Sequence, residues 1–369
     1  MKVCHLTSAH PRSDIRIYHK ELVSLTKIYK SYLIVADGLG DNIDEKGINI
    51  IDVGKANSRL DRMKNSPQSI LQAALKLDAD LYHLHDPELL QIALNLKKAG
   101  KKVIFDAHED LPKQVLSKPY LNKFNAYIIS FIVKYYEKFI CSKIDAVVTA
   151  TPVIRDKFSN FAKITVDINN YPLLGELETV EKNWSNIGFD IAYVGGISKI
   201  RGVEEVVKSL EFTHSNVRLN LVGKFNEKIT HENTKHLDGW HKVIEHGQLS
   251  RAEVKKILEK SIAGVVTFLP VPNHIDAQPN KMFEYMSAGI PVIGSNYPLW
   301  KSIIEGNNCG ICIDPENPKQ IANAIDMLVS DKTLAEKMGK NGIQAVNEKY
   351  NWSIEEAKLF KLYEELLDN

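Results

Sequence analysis

The chain has 369 residues, with 47 Lys+Arg against 46 Asp+Glu, a formal net charge of +1 and 4 Cys. The length fits two domains at roughly 100–200 residues each. The near-neutral balance excludes a strongly basic nucleic-acid binder and a long acidic tail, and so few cysteines exclude a disulfide scaffold.

No stretch approaches the roughly 18–20 apolar residues that span a bilayer. The start, Met1–Ser8, is too short for the apolar core of a signal peptide. The expected place is therefore the cytoplasm, with at most a contact to the inner face of the cell membrane.

The first half alternates short β-branched runs with helical periods. Strands are predicted at 2–7, 31–36, 48–53, 81–84, 102–106, 145–149 and 164–168. Helices are predicted at 15–27, 68–77, 88–98, 120–141 and 152–158. Apolar runs of this length between helices indicate a parallel sheet covered on both faces. Residues 169–188 lose the periodicity and read as a linker. The alternation then restarts. Strands are predicted at 190–194, 217–222, 243–245, 264–268, 291–293 and 310–313. Helices are predicted at 203–210, 251–259, 281–288, 299–305, 319–329, 334–348 and 353–367. The fold class is α/β, with two doubly wound Rossmann-like domains. Ligands of such sheets sit at the carboxyl ends of strands, so function is sought in the loops there, facing the cleft expected between the domains.

Four loops carry chemistry. Tyr193-Val-Gly-Gly-Ile-Ser-Lys-Ile-Arg-Gly202 precedes a helix. Gly195 and Gly196 let backbone approach a phosphate, and Arg201 can bind phosphate oxygens bidentately. A tight turn with a solvated Arg is the plainer explanation. The second loop runs from Asp276 into Asn280-Lys-Met-Phe-Glu284. The first-turn amides of Asn280, Lys281 and Met282 form an anion site, Glu284 can accept the two hydroxyls of a ribose, and Asp276 can accept those of a sugar. Complementing the helix dipole would account for Glu284 alone. The third cluster is Phe105-Asp-Ala-His-Glu-Asp110, which places His108 at a strand's carboxyl end. The neighbouring Asp86-Pro87 reads as a helix cap followed by a first-turn proline. The fourth, Thr7–Arg16, is polar and charged. His10, Arg12 and Asp14 are its candidate acceptor-binding residues, and a capping role is the alternative for Asp14.

These residues together resemble a retaining glycosyltransferase of the family-4 type, with the GT-B fold. The resemblance runs from His5-Leu-Thr-Ser and Asp14-Ile-Arg-Ile through His85-Asp-Pro-Glu-Leu and Asp106-Ala-His-Glu-Asp to Tyr193-Val-Gly-Gly. It continues through Pro279-Asn-Lys-Met-Phe-Glu-Tyr-Met-Ser-Ala-Gly-Ile-Pro-Val, its most specific stretch, and ends on Tyr350-Asn-Trp-Ser. It implies an acceptor domain over 1–170, completed by a returning C-terminal helix at 353–369, a linker over 171–188, and a donor domain over 189–352. The family's paired acids fall on Asp276, where Glu is usual, and Glu284. Gly196 stands where the family has Arg, and Arg201 where it has Lys, so Lys199 and Lys281 are the candidates for the second phosphate-neutralising cation. His108 falls on the family's cleft histidine, and Gly223 and His246-Gly247 on loops flanking the base. Asp276, His108 and Arg201 are thus the implied catalytic residues. Gly195, Gly196, Arg201, Asn280, Lys281, Met282 and Glu284 are the implied donor-binding ones.

The resemblance implies transfer from a UDP- or GDP-sugar to a glycan or lipid-linked glycan, with retention at the anomeric carbon, in bacterial cell-envelope polysaccharide synthesis. No cofactor and no metal are expected. Asp78-Ala-Asp80 leads into a buried strand, and Cys309-Gly-Ile-Cys312 reads as core. The alternatives are a catalytically impaired homologue that binds nucleotide or glycan as a partner, and a nucleotide-sugar epimerase. Helix 120–141 interleaves lysines with aromatics. It reads either as a core helix with a solvated face or as a peripheral contact to an anionic membrane.

Overall fold

The structure, a computed structural model, describes residues 1–118, 121–178 and 182–368. The chain divides into two units, Met1–Asn170 with Trp352–Asn369, and Tyr171–Asn351.

The first unit is built on an eight-stranded sheet: β1 (Lys2–Leu6), β2 (Lys30–Val35), β3 (Asn42–Ile43), β4 (Asn49–Asp52), β5 (Leu81–Leu84), β6 (Lys102–Ala107), β7 (Ala146–Thr149) and β8 (Thr165–Asp167). The spatial order is β3-β4-β2-β1-β5-β6-β7-β8, parallel except for the β3–β4 pair. The order reverses between β1 and β5, which opens a crevice at their carboxyl ends. Side chains alternate across the sheet. Cys4, Leu6, Tyr82 and Leu84 enter one apolar core, while His5, His83 and His85 point to the other face and are buried there.

The second unit is a six-stranded parallel sheet: β9 (Asp190–Val194), β10 (Arg218–Val222), β11 (Val243–Gly247), β12 (Ser261–Val266), β13 (Val292–Ser295) and β14 (Gly310–Ile313), ordered β11-β10-β9-β12-β13-β14. Its order reverses between β9 and β12. Ile191 and Tyr193 of β9 pack into one core and Ala192 and Val194 into the other, so both faces are covered.

Several boundaries differ from the sequence reading. The stretch 171–188 clusters with the second unit rather than standing apart as a linker. Tyr171 and Leu177 are buried in one of its cores, and Trp184 and Ile187 in the other. Short segments without a readable period hide helices at Arg59–Lys64, Leu111–Leu116 and Lys228–Lys235. Pro112 in the second of these sits in the first turn, where its missing N–H costs nothing, and Asp110 caps it. The 264–268 strand is displaced to Ser261–Val266, because Ser261 both ends the preceding helix and starts the strand. The long helix spans Lys123–Cys141, and Tyr120, its expected start, lies outside the described residues. The helix expected at 353–367 is Trp352–Leu367 and packs within the first unit, where the Trp352 indole N–H donates to Ser24 Oγ.

Candidate active site

At the β1/β5 switch point the loop after β1 is clamped by Asp86. The carboxylate accepts from Thr7 Oγ1 at 2.7 Å, from the Ser8 amide at 2.6 Å and from the Ala9 amide at 3.1 Å. It also lies 3.0 Å from His10 Nδ1. Asp86 was expected as a helix cap, but its side chain makes no cap hydrogen bond. Burial would raise its carboxyl, yet His10, Thr7 and the Ser8 amide outweigh that and hold it well below the usual carboxylate range. Burial lowers His10, and Asp86 overcomes this to leave it raised.

A second imidazole faces the first. His108 lies with its ring centroid 5.2 Å from that of His10, and its Nε2 is 3.0 Å from Asp106 Oδ2. Asp106 is fully buried and holds the Arg16 guanidinium in a fork, at 2.8 and 2.9 Å. Against burial, Arg16 and His108 keep Asp106 well below its ordinary range. Glu21, also facing Arg16, is pushed well above its ordinary value by burial, only partly offset by Arg16. Of the two carboxyls at that guanidinium, Asp106 therefore carries the charge.

Beneath them runs a directed chain of hydrogen bonds. His85 Nδ1 is 3.2 Å from Asp106 Oδ2, and His85 Nε2 is 2.7 Å from His5 Nδ1. His5 Nε2 and His83 Nδ1 both lie 2.9 Å from Tyr363 Oη. A carboxylate only accepts, so the network assigns the protons: His83 donates to Tyr363, Tyr363 to His5, His5 to His85, and His85 to Asp106. Every imidazole in this chain is neutral, as burial dictates. His5 and His83 are lowered well below the ordinary histidine value and His85 to about 4. His5, Glu21, His83 and His85 place metal-ligand atoms within 4.8 Å of one another, as do His85, Asp106 and His108. The hydrogen-bond chain accounts for every ring nitrogen of the first group except His83 Nε2.

His10 and His108 line a cavity of about 1350 Å³, together with Ser8, Asp86, Arg59, Arg62, Glu88, Gln114 and the inner edge of the 123–141 helix. The other two residues expected to bind acceptor are committed elsewhere. Arg12 forks onto Asp37 at 2.7 and 2.7 Å and reaches Gly40 O. Asp14 caps its helix, accepting from the Arg16 and Ile17 amides at 2.8 and 3.0 Å.

The β9/β12 switch point of the second unit is cationic. Gly195 turns the chain at φ +124°, and a Cβ there would lie 2.9 Å from Lys281 Cε. At Gly196 a Cβ would lie 2.6 Å from Arg201 Nη1, which donates to the Gly196 carbonyl at 3.0 Å. Gly202, at φ +74°, abuts the Thr267 carbonyl, where a Cβ would sit at 2.0 Å, and this close approach fixes Arg201 at the mouth of the next helix. Arg201 also stacks over Phe268. Of the two candidate substitute cations, Lys281 reaches the glycine turn, while Lys199 is exposed on its single helical turn.

Helix Asn280–Ser287 has no side-chain cap. The Met282 amide, expected to be open to an anion, donates to Pro279 O at 3.0 Å, and its side chain is fully buried. Asn280 and Lys281 supply the other two amides of that first turn. Glu284 accepts from Lys281 Nζ at 2.7 Å and from Arg251 Nη1 at 3.1 Å. These cations overcome burial and hold its carboxyl below the ordinary value. Asp276 is half-buried in the preceding loop, whose neighbouring Ala277 carbonyl accepts from the Trp300 indole at 2.7 Å. His246 lies on β11, bonded to Asn220 Oδ1 at 2.8 Å.

The sequence reading missed Arg251, which starts a helix far along the chain, and the inward row of His5, His83, Glu21 and Tyr363. Two histidines at i and i+2 of a strand share one face, and that signal was available in Tyr82-His-Leu-His85.

Residues 180–345 match the family model described as glycosyl transferases group 1. Among curated proteins, the chain is 24% identical over 216 residues to the capsular polysaccharide biosynthesis glycosyltransferase CapM of Staphylococcus aureus, a match covering 56% of this chain and 52% of that one. The chain thus spans about half the length of this curated relative. Among solved structures it superposes on sucrose-phosphate synthase from Thermosynechococcus elongatus with a TM-score of 0.81 at 15% identity, covering 100% of this chain and 99% of that one. It superposes on Anabaena HepE in complex with UDP-glucose with a TM-score of 0.77 at 16% identity, covering 99% and 100%. Residues 180–345 are thus similar to the glycosyl transferases group 1 family, and the two α/β units have the GT-B fold.

Proposed function

We propose that the protein moves a sugar from a UDP- or GDP-linked donor to a glycan or lipid-linked glycan, with retention at the anomeric carbon and without a metal ion. Its setting on this reading is cytoplasmic cell-envelope polysaccharide synthesis. The observation that carries the proposal is the glycine turn after β9 with Arg201 and Lys281 drawn against it. When the bond from the anomeric carbon to the diphosphate breaks, negative charge grows on the leaving oxygens. Cations and amides already in place there stabilise that charge without reorganising. The missing Arg at 196 is offset locally, because the Arg201 guanidinium occupies the space beside the Gly196 backbone. On this reading Glu284, kept ionised, is the acceptor for ribose hydroxyls, and Asp276, in the loop before that helix, is the group for the sugar. In the first unit His10 and His108 are the groups for the acceptor hydroxyl. HepE, solved with UDP and with UDP-glucose, and the capsular function in the name of CapM support the donor class and the setting.

The test is calorimetric binding and turnover of a panel of UDP- and GDP-sugars by the intact chain and by Glu284→Ala and Arg201→Ala. Losing a charged hydrogen bond to the donor costs about 1.5–3 kcal/mol, an affinity loss of roughly tenfold or more. Binding without turnover would favour the impaired-homologue reading. Intact protein that binds none of the panel overturns the proposal.

A further inference from the structure

The Lys123–Cys141 helix is a long element with little of itself packed away. Of its residues only Ala126, Glu137, Ile140 and Cys141 are buried, while nine large apolar side chains between Phe124 and Phe139 are exposed. Phe124 is 74% exposed, Tyr127 67% and Phe131 62%. Monomeric soluble proteins rarely leave such a contiguous apolar surface uncovered, so it marks an interaction face.

The arrangement has two sides. Phe124, Tyr127, Phe131, Tyr135 and Phe139 recur at three- and four-residue spacing and fall on one stripe. Phe131 and Tyr135 stack on that stripe with centroids 4.6 Å apart. The other edge, with Ile129, Val133, Tyr136 and Glu137, lines the cavity that holds His10 and His108. Lysines 123, 134 and 138 are exposed along the helix, and Lys143 lies over the Phe139 ring at 3.5 Å. The helix's single acid, Glu137, is buried and bound to Lys157 at 2.8 Å.

We infer that this face docks on an anionic lipid bilayer. Charge decides the occupant. A second copy would set lysines against lysines with no exposed carboxylate on the helix to answer them, whereas a bilayer of acidic headgroups answers every one. The mode is interfacial. No helix among the described residues is long and apolar enough to cross a membrane, while aromatics with flanking lysines on one stripe suit burial at the headgroup level. Docked in this way, the helix holds the cavity on its opposite edge close to the lipid surface. The acceptor entering there is then an amphiphile anchored in that surface, a consequence that rests on the transferase reading above.

Co-sedimentation tests the inference, with vesicles of phosphatidylcholine and of phosphatidylcholine mixed with phosphatidylglycerol. The chains compared are the intact protein, Phe124→Ser/Phe131→Ser and Lys134→Glu/Lys138→Glu. All four positions are exposed and lie outside the cavity lining, so the variants keep the fold. Each lysine near an anionic surface is worth about 1 kcal/mol, so the intact chain binds the phosphatidylglycerol vesicles and reversing two lysines weakens that binding by tenfold or more. Added salt releases the intact chain, and the double serine variant loses binding as well. An intact chain that ignores phosphatidylglycerol vesicles overturns the inference. So does one that sediments as a dimer in their absence and becomes monomeric in the serine variant. Nucleotide-sugar binding by the same variants is the separate readout: if it is lost in all chains while vesicle binding persists, the transferase reading falls and the docking surface stands.

Discussion

The two switch points occupy the same topological position and hold opposite chemistry. After β1 and β6, two imidazoles each rest on a buried carboxylate, and the charges beneath them are matched inside the fold. After β9 and β12, glycine backbone is flanked by a guanidinium and an ammonium that stay partly exposed. One scaffold thus carries imidazoles paired with buried carboxylates at one switch point and cations beside glycine backbone at the other, and the loops rather than the sheets set the difference. The floors differ accordingly. The second sheet is apolar on both faces around β9, whereas β1 and β5 of the first present histidines to a polar interior closed by Tyr363. The first site should therefore respond to changes deep in its floor, and the second to changes at its surface.

The largest effect is expected from Asp106→Ala. It strips the buried Arg16 of its forked partner and leaves only Glu21, 3.1 Å from Nε, to answer the charge; breaking a buried pair of this kind costs up to about 3–5 kcal/mol. Hydrogen exchange should show lost protection in β1, β5 and β6 with the second unit unchanged. Equal loss in both units would break the comparison. Acid comes next. His5, His83 and His85 have folded values below the ordinary 6.5, so the unfolded chain binds protons first. The stability this represents is complete above that value and drains as pH falls toward about 4, the folded value of His85. For His85 alone the loss amounts to about 3 kcal/mol. Glu284, held below its ordinary range, stays ionised through the same window, so the second unit should outlast the first in an acid titration followed by hydrogen exchange. The His10–Asp86 pair has the opposite sign on its histidine side. Its contribution is present below 6.5 and is lost as pH rises through the raised His10 value.

The unequal legibility of the two sites follows from the same contrast. The residues of the second site are close in sequence. Gly195, Gly196 and Arg201 lie in one loop and Lys281 and Glu284 in one helical turn, so local spacing exposed them, while Arg251 escaped because only the fold brings it to Glu284. The first site is assembled from β1, β5, β6 and the last helix, and no local pattern links His5 with Tyr363 across that distance. The strands other than β3, which is two exposed residues long, were readable from their apolar runs, with ends off by a few residues. The helices at Arg59–Lys64 and Lys228–Lys235 were not readable, because short and largely polar segments owe their helicity to packing and capping rather than to periodicity. Arg12 and Asp14 were drawn into the acceptor site by their position in a polar loop. Side-chain direction, which the sequence does not specify, turns them to Asp37 and to the helix start.

Tyr363→Phe probes the floor more gently than Asp106→Ala. It removes one hydroxyl shared by His5 and His83, leaving two buried nitrogens to find new partners, at about 1–3 kcal/mol. Thermal unfolding of the variant should show that loss, and donor binding in the second unit should be unmoved. A variant as stable as the parent would mean that the two imidazoles do not depend on that hydroxyl.

The smallest effect is expected at Arg12→Ala, and it separates the loop's two expected roles. The Arg12–Asp37 fork is partly exposed, and screening keeps such pairs below about 1 kcal/mol. Asp37 loses the guanidinium that lowers its carboxyl, so its titration should move back toward the ordinary range. His10 keeps Asp86, and the clamp on the Ser8 and Ala9 amides does not involve Arg12. Acceptor KM and kcat should therefore match the parent while His10→Ala changes them. If Arg12→Ala instead raises the acceptor KM with stability intact, the guanidinium must leave Asp37 during turnover and join Arg59 and Arg62 at the cavity.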